Sequence, residues 1–203
     1  MTGPEQLFFL PGALGRGGFW RPVADQLTTR ATRVFFGWPG FGDVPVDPSI
    51  RGLDDLAALV AAKLERPSAL IAQSMGGVVA LLAALRRPEF VTHLVLTATS
   101  GGLEVADLRV ADWRPEFIAA NPALPRWFSD YHGDLAPELG RLTLPTLLLW
   151  GDADPISPLS VAEHLRAHLH GAKLEVIPGG EHDVAQTHAA VITSIIDRFL
   201  ETS

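Results

Sequence analysis

The segment SALIAQSMGGVVALLAAL, residues 68–85, is uncharged throughout and carries one serine, Ser74, in its interior. The apolar residues before Ser74 predict a buried strand, and those after it predict a helix that is apolar on nearly every side. Small residues on either side, Ala72 and Gly76, allow a sharp backbone turn between the two elements. Such a turn can hold a serine hydroxyl above the carboxyl edge of a sheet as a nucleophile, although Ser and Gly are also common at helix starts as plain caps and turns.

Outward from this segment, short apolar runs alternate with helical patterns along the chain. This alternation is typical of βαβ units and of a mostly parallel sheet that is covered on both faces. The predicted strands are residues 6–10, 32–36, 68–73, 91–98, 146–150 and 173–177. The predicted helices are residues 19–29, 51–65, 75–87, 160–170 and 184–200. We therefore expect an α/β fold, a doubly wound and mostly parallel sheet of about six strands.

Residues 99–143 interrupt this alternation, because they are rich in aromatic residues and proline and show no strand pattern. A structureless loop of that length is unusual inside a compact domain, so we predict a short helical cap at residues 99–143. One core domain is then formed by residues 1–98 and 144–203. Within the cap, Trp113 and Trp127 either pack against the core or line an apolar substrate pocket, and the sequence favours both equally.

The composition excludes several classes of function. A chain of 203 residues with 47% hydrophobic content is sufficient for one buried core. The net charge of -7 is spread along the chain, so we expect no nucleic-acid partner. The absence of cysteine excludes disulfides, thiol nucleophiles and cysteine-bound zinc. No signal-peptide pattern or membrane-spanning run is recognisable, so we expect a soluble, cytoplasmic protein without a membrane partner.

Two other patterns suggest bound ligands. His164 and His168 are four residues apart on a predicted helix, but a zinc site needs further ligands, so a solvated helix face explains them better. The glycines of GALGRGG, residues 12–18, lack the lysine ending and the spacing of a phosphate-binding loop. We therefore predict neither a metal nor another cofactor.

Two later loops carry the groups that a serine nucleophile needs. A strongly apolar predicted strand ends in GDADP, which offers Asp152 and Asp154, and the glycine-rich loop after the last strand carries His182. A neutral serine hydroxyl is a poor nucleophile, so it requires an imidazole to accept its proton and a carboxylate to orient that imidazole. Loops that follow parallel strands meet at one edge of a sheet, so these groups can converge near Ser74.

With these groups in the order serine, aspartate, histidine, the chain resembles the α/β-hydrolase superfamily along nearly its whole length. AQSMG matches the nucleophile motif of that family, GxSxG, except that Ala72 replaces the first glycine. The resemblance implies that Ser74 is the nucleophile, His182 the base and Asp154 the acid that orients His182. Asp152 is the lesser candidate for the acid, since aspartate is common in turns.

The segment LPGALGRGGFW, residues 10–20, lies where the family has its oxyanion loop, with Pro11 in place of the usual histidine. The resemblance implies that the backbone N–H groups of Met75 and Ala13 bind the oxyanion. Leu14 and Trp38 are expected to line the substrate pocket with the two cap tryptophans. Only five residues precede the first predicted strand, so we expect the α/β-hydrolase fold without its N-terminal strand pair.

The resemblance therefore implies a serine hydrolase that cleaves an ester or related acyl bond of a small to medium apolar molecule through an acyl-enzyme. The same triad serves thioesterases, acyltransferases, carbon–carbon bond hydrolases and lyases in the superfamily. A ligand-binding protein without turnover can also retain the fold. Neither the choice among these nor the oligomeric state follows from the sequence.

Overall fold

The computed structural model describes residues 3–14, 17–108 and 110–201. Gly15 and Arg16 of the predicted oxyanion loop, and Arg109 of the predicted cap, therefore lie outside the described residues. Within the described part of the chain, no helix is both long and apolar enough to span a bilayer.

A parallel sheet forms the centre of the molecule and confirms the predicted fold class. Across the described residues it contains six strands in the order β2-β1-β3-β4-β5-β6, and every neighbouring pair is parallel. The strands are β1 Gln6–Leu10, β2 Thr32–Phe35, β3 Ser68–Gln73, β4 Val91–Thr97, β5 Thr146–Gly151 and β6 Lys173–Ile177. Each strand end agrees with the sequence prediction to within one residue.

The order of the strands reverses between β1 and β3. From β1 the chain passes to β2 on one side of the sheet, whereas β3 leads to β4, β5 and β6 on the other side. The loops that follow β1 and β3 therefore leave the carboxyl edge side by side and diverge, which opens the crevice where ligands of open α/β sheets bind.

Helices cover both faces of this sheet. They are α1 Arg21–Ala24, α2 Leu53–Ala61, α3 Met75–Arg86, α4 Arg114–Ala120, α5 Ala136–Leu139, α6 Leu159–His168, α7 Val184–Thr187 and α8 Ala189–Glu201. Alternate residues of each inner strand face opposite layers: Leu70 of β3 packs with α2, α3 and α6, whereas Ile71 packs with α1, α7 and α8. Burying one such side chain contributes about 1.5–3 kcal/mol, so the two layers together hold the sheet.

Three predicted helices differ from the observed ones, and the one predicted over residues 51–65 spans only Leu53–Ala61. The helix predicted over residues 19–29 ends at Ala24, because the Arg33 guanidinium donates to the carbonyl oxygens of Ala24 and Leu27, at 2.8 Å in each case. The helix predicted over residues 184–200 is divided into α7 and α8 at His188, whose φ of -119° and ψ of 32° leave the helical region.

Residues 99–143 hold α4, α5 and two 3-10 turns, and they pack against the loop that follows β2. An aromatic cluster makes this contact, with Phe41 after β2 lying 5.5 Å from Trp127 and 5.6 Å from Phe128 between ring centroids. The cluster comprises Phe41, Trp113, Phe117, Trp127 and Phe128. The division of the chain into a core domain and a cap stays a prediction.

A buried histidine makes the stability of the sheet sensitive to acid. His93 of β4 is 2% exposed, and its Nε2 has no hydrogen-bond partner among the described residues. Its ring packs edge-on against Phe199 of α8 at 5.3 Å. Because burial disfavours the charged imidazolium, the pKa of His93 is lowered from its ordinary value of 6.5.

We expect the substitution His93→Leu to flatten the pH dependence of stability below pH 6.5, the ordinary pKa of this side chain. Because the folded-state pKa of His93 is lowered, the unfolded chain binds more protons at this residue than the folded chain does as the pH falls through 6.5, so wild-type stability falls with the pH, by up to about 1.4 kcal/mol per pH unit. The free energy of unfolding in urea, measured for both proteins from about pH 7.5 to about pH 5, isolates this contribution. Parallel curves would show that His93 is protonated normally.

Candidate active site

Ser74 occupies a strained turn at the carboxyl end of β3. Its φ of 54° and ψ of -124° lie in a region that residues other than glycine rarely adopt. Such a conformation costs about 1–3 kcal/mol. The Ser74 amide donates to the Thr97 carbonyl of β4 at 2.9 Å, and α3 begins at the next residue, Met75. The turn therefore lifts the half-buried Ser74 side chain out of the strand and above the sheet edge.

Two glycines allow α3 to pack closely beneath this turn. A Cβ atom at Gly76 would lie 2.5 Å from the Pro11 carbonyl oxygen and 2.6 Å from that of Leu10. A Cβ atom at Gly77 would lie 2.5 Å from Thr99 Oγ1. These glycines are thus required for space rather than for an unusual φ, and Gly76 lets the start of α3 approach Leu10 and Pro11 at the start of the predicted oxyanion loop.

His182 and Asp154 form a hydrogen-bonded pair at the same edge. His182 Nδ1 lies 2.8 Å from Asp154 Oδ2, and the two side chains are 24% and 0% exposed respectively. The other carboxylate oxygen, Asp154 Oδ1, accepts the amides of Ile156 at 2.8 Å and Ser157 at 3.0 Å. With the Nδ1 proton donated to Asp154, the lone pair of the imidazole lies on Nε2, where it can accept another proton.

Asp152 has a different role from Asp154. Its Oδ1 accepts the backbone amide of Gly179 at 2.7 Å. This bond connects the loop that carries Asp152 and Asp154, here called the acid loop, to the glycine-rich loop that carries His182, here called the histidine loop. The Ala153 amide donates to the Gly180 carbonyl at 3.0 Å and reinforces the same contact. The structure therefore brings Asp154, and not Asp152, to the imidazole.

Gln73 links the end of β3, the loop that carries His182 and the loop that contains Gly12. The sequence did not predict this connection. Its Nε2 donates to the His182 carbonyl oxygen at 3.2 Å, and its Oε1 lies against Gly12 of the oxyanion loop. A Cβ atom at Gly12 would also lie 3.1 Å from Ser74 Cβ. A buried polar residue directly before the serine was the available signal, because such a side chain needs a partner.

The two expected oxyanion donors are the amides of Met75, at the start of α3, and Ala13, in the loop after β1. Met75 is the first residue of α3, where backbone amides have no acceptor within the helix. Ala13 is half-buried and packs against the core, and its neighbour Leu14 is 43% exposed.

Trp38 does not line an open pocket, contrary to the prediction from the sequence. The side chain is 0% exposed, and its indole Nε1 donates to the Pro11 carbonyl oxygen at 2.9 Å. This bond and packing on Phe36, 5.9 Å away, draw the ring into the core. Trp113 and Trp127 are half-buried in the aromatic cluster, and their contact with substrate stays a prediction.

The two histidines on α6 contact each other. The rings of His164 and His168 lie 4.8 Å apart, and His168 Nδ1 lies 2.9 Å from the His164 carbonyl oxygen. Among residues 3–14, 17–108 and 110–201, no three His, Asp or Glu side chains are grouped so as to hold a metal ion.

We expect the substitution Gly151→Ala to destabilise the protein by about 3 kcal/mol, at the upper end of the usual cost of overpacking, because the added atom meets backbone. Gly151 ends β5, and a Cβ atom there would overlap the carbonyl group of Gly180 in the loop that leads to His182. Urea unfolding measures the loss.

Gly140→Ala is the matched control for this prediction. Gly140 has a helical φ of -61°, and a Cβ atom would meet nothing within 4 Å. This variant should be as stable as the wild type or more stable by up to about 1 kcal/mol. Equal losses in the two variants would contradict the proposed contact between the acid loop and the histidine loop.

A family model described as the alpha/beta hydrolase family matches residues 7–143, which is more than half of the chain. A second model, described as TAP-like protein, matches residues 127–203. Both matches include parts of the sheet described above.

Individual relatives agree with the family match. A pimeloyl-[acyl-carrier protein] methyl ester esterase of Neisseria meningitidis is 27% identical, over 80% of this chain and 80% of its own length. Serine hydrolase BPHL of Mus musculus is 26% identical, over 98% of this chain and 80% of its own. The structure of an esterase from Exiguobacterium antarcticum superposes with a TM-score of 0.77 at 18% identity, covering 99% of this chain and 94% of that one.

Proposed function

The chain belongs to the α/β-hydrolase family, and on that premise we propose that it is a serine esterase. It cleaves the ester or a related acyl bond of a small to medium apolar substrate by way of an acyl-enzyme. The relatives named as an esterase and a serine hydrolase support hydrolysis as the reaction class.

In the proposed mechanism, Ser74 Oγ attacks the carbonyl carbon while His182 Nε2 takes its proton. The negative oxygen of the tetrahedral intermediate is held by the N–H groups of Met75 and Ala13. When the C–O bond breaks, His182 returns the proton to the leaving alcohol. A water molecule then repeats the sequence on the acyl-enzyme, with His182 as its base, and releases the acid and free Ser74.

The observation that carries this proposal is the His182–Asp154 hydrogen bond at 2.8 Å beside the strained turn at Ser74. A buried carboxylate that accepts from Nδ1 has one evident chemical effect, which is to fix the tautomer and stabilise the imidazolium. Strain at a single residue is retained where the surrounding structure imposes it, and such residues cluster at active sites. The Gln73 contact with the His182 carbonyl places the two features on adjoining loops.

The proposal needs a small acyl molecule as its partner and no cofactor, because side chains and backbone amides supply both the proton transfer and the charge stabilisation. An apolar acyl group is favoured by the aromatic cluster, if Trp113 and Trp127 extend over Ser74. A cytoplasmic location is part of the same proposal and is tested by fractionating cells that express the protein.

A fluorophosphonate probe with peptide mapping tests the proposal directly. We expect stoichiometric labelling of Ser74 in the native protein and none after heat denaturation, together with turnover of short- and medium-chain p-nitrophenyl esters. The same chains presented as thioesters and β-diketones compare the alternative reactions of this superfamily. Labelling of another serine, or turnover without labelling, would contradict the proposed nucleophile.

A further inference from the structure

Two buried tryptophans donate to consecutive carbonyl groups at the start of the oxyanion loop. Trp20 Nε1 lies 3.0 Å from the Leu10 carbonyl oxygen, and Trp38 Nε1 lies 2.9 Å from that of Pro11. The two indoles are 1% and 0% exposed, so water does not compete for either bond. Each bond is therefore stronger than it would be in water, and it fixes the direction of the carbonyl group that accepts it.

The same two carbonyl groups are closed off on the side of α3. A Cβ atom at Gly76 would lie 2.6 Å from the Leu10 oxygen and 2.5 Å from the Pro11 oxygen, so the helix backbone fills the space next to them. A buried carbonyl without a donor costs about 1–3 kcal/mol. The indoles meet this need beside Pro11, which has no N–H group to donate.

The two tryptophans approach from opposite layers of the fold. Trp20 precedes α1 and packs in the core layer of α1, α7 and α8, where its ring lies 6.3 Å from that of Phe9. Trp38 follows β2 and packs in the layer of α2, α3 and α6. The peptide units of Leu10 and Pro11 are thus held from both faces of the sheet, by rigid side chains whose own positions are fixed by packing.

We infer that Trp20 and Trp38 are positioning residues for the oxyanion site, an inference that rests on the proposed esterase function. Peptide units are planar, so fixing the Pro11 carbonyl direction also fixes the Gly12 N–H. Only φ and ψ of Gly12, which is packed against Gln73 and Ser74, then separate that peptide unit from the Ala13 amide. Oxyanion donors must point at the place where charge develops, and displacement by about 1 Å removes much of their effect.

The variants Trp38→Phe and Trp20→Phe test this inference, because each keeps an aromatic ring and removes the N–H donor. We expect each to lower kcat about tenfold with KM unchanged within about twofold, below the roughly 100- to 1,000-fold cost of deleting a donor outright. The affinity for a trifluoromethyl ketone, whose serine adduct places an anionic oxygen in the site, should fall by the same factor as kcat. Amide hydrogen exchange of residues 10–14 should become faster.

Val60→Ala is the control for lost packing. Val60 of α2 is 0% exposed, and its side chain has no group that could donate to a carbonyl oxygen. This variant should therefore lose stability but keep kcat, inhibitor affinity and the exchange rate of residues 10–14. Unchanged kcat and affinity in both tryptophan variants, or equal losses in Val60→Ala, would overturn the inference. If the wild type neither turns over esters nor forms the adduct, the proposed function fails instead, and the exchange rate alone decides whether the indoles hold the loop.

Discussion

The variant Ser74→Ala is expected to lose ester hydrolysis by about 10,000-fold to 1,000,000-fold in kcat/KM, because no other group in the proposed mechanism can form the acyl-enzyme. The fold should be unaffected. Alanine retains a Cβ atom, so the strained φ of 54° persists, and the backbone bond to the Thr97 carbonyl does not involve the side chain. Initial rates on the best ester, with urea unfolding on the same preparation, separate loss of chemistry from loss of structure.

Ser194→Ala provides the matched control. Ser194 lies on the exposed side of α8, where its hydroxyl donates to the Ala190 carbonyl at 3.1 Å, and it has no part in the proposed mechanism. This variant should keep full activity and full labelling by the fluorophosphonate probe. Retention of more than about a tenth of wild-type activity in Ser74→Ala would sink the assignment of Ser74, since the remaining groups cannot supply that rate.

The variant Asp154→Asn is expected to lower kcat by about 10,000-fold with little change in KM. Asparagine can still accept the two amides of Ile156 and Ser157 through its carbonyl oxygen. Its NH₂ group then faces His182 Nδ1, which must become an acceptor, so the ring proton moves to Nε2. That nitrogen can no longer accept the proton of the serine hydroxyl.

Asp152→Asn distinguishes this effect from a general loss of loop order. Its side-chain oxygen still accepts the Gly179 amide, so we expect kcat within about threefold of the wild type. Steady-state kinetics on one ester compares the two variants. A larger loss in Asp152→Asn than in Asp154→Asn would reverse the assignment of the acid.

The strands and their order along the chain were predictable because each inner strand is buried on both faces. A strand such as β3, with all six residues buried, is apolar at its four inner positions, residues 69–72, and this pattern is visible without any partner. The start of α3 was also predictable, because Ser74 and the glycines that follow it mark the turn locally. Convergence of the loop that carries Asp152 and Asp154 with the loop that carries His182 was predictable because parallel strands deliver their loops to one edge. The choice of Asp154 over Asp152 came from the family resemblance.

The errors concern contacts between residues far apart in the sequence. The end of α1 depends on Arg33, nine residues beyond Ala24, which takes the carbonyl groups that would continue the helix. Trp38 was predicted to face substrate, yet its indole bonds to Pro11, 27 residues earlier. Gln73 bonds to His182 across 109 residues. No local pattern indicates which distant carbonyl a buried donor will choose, so these contacts require coordinates.

Relief of the strained conformation of Ser74 would raise the thermal stability of the protein and lower its proposed activity. Glycine adopts a φ of 54° without penalty, so a glycine at this position would relieve much of the local strain and remove the proposed nucleophile in the same step. Directed evolution that scores survival at high temperature, without scoring product, would therefore enrich inactive clones at codon 74. Thermostable variants of this protein should be sought at codons remote from the bend, with an activity screen in every round.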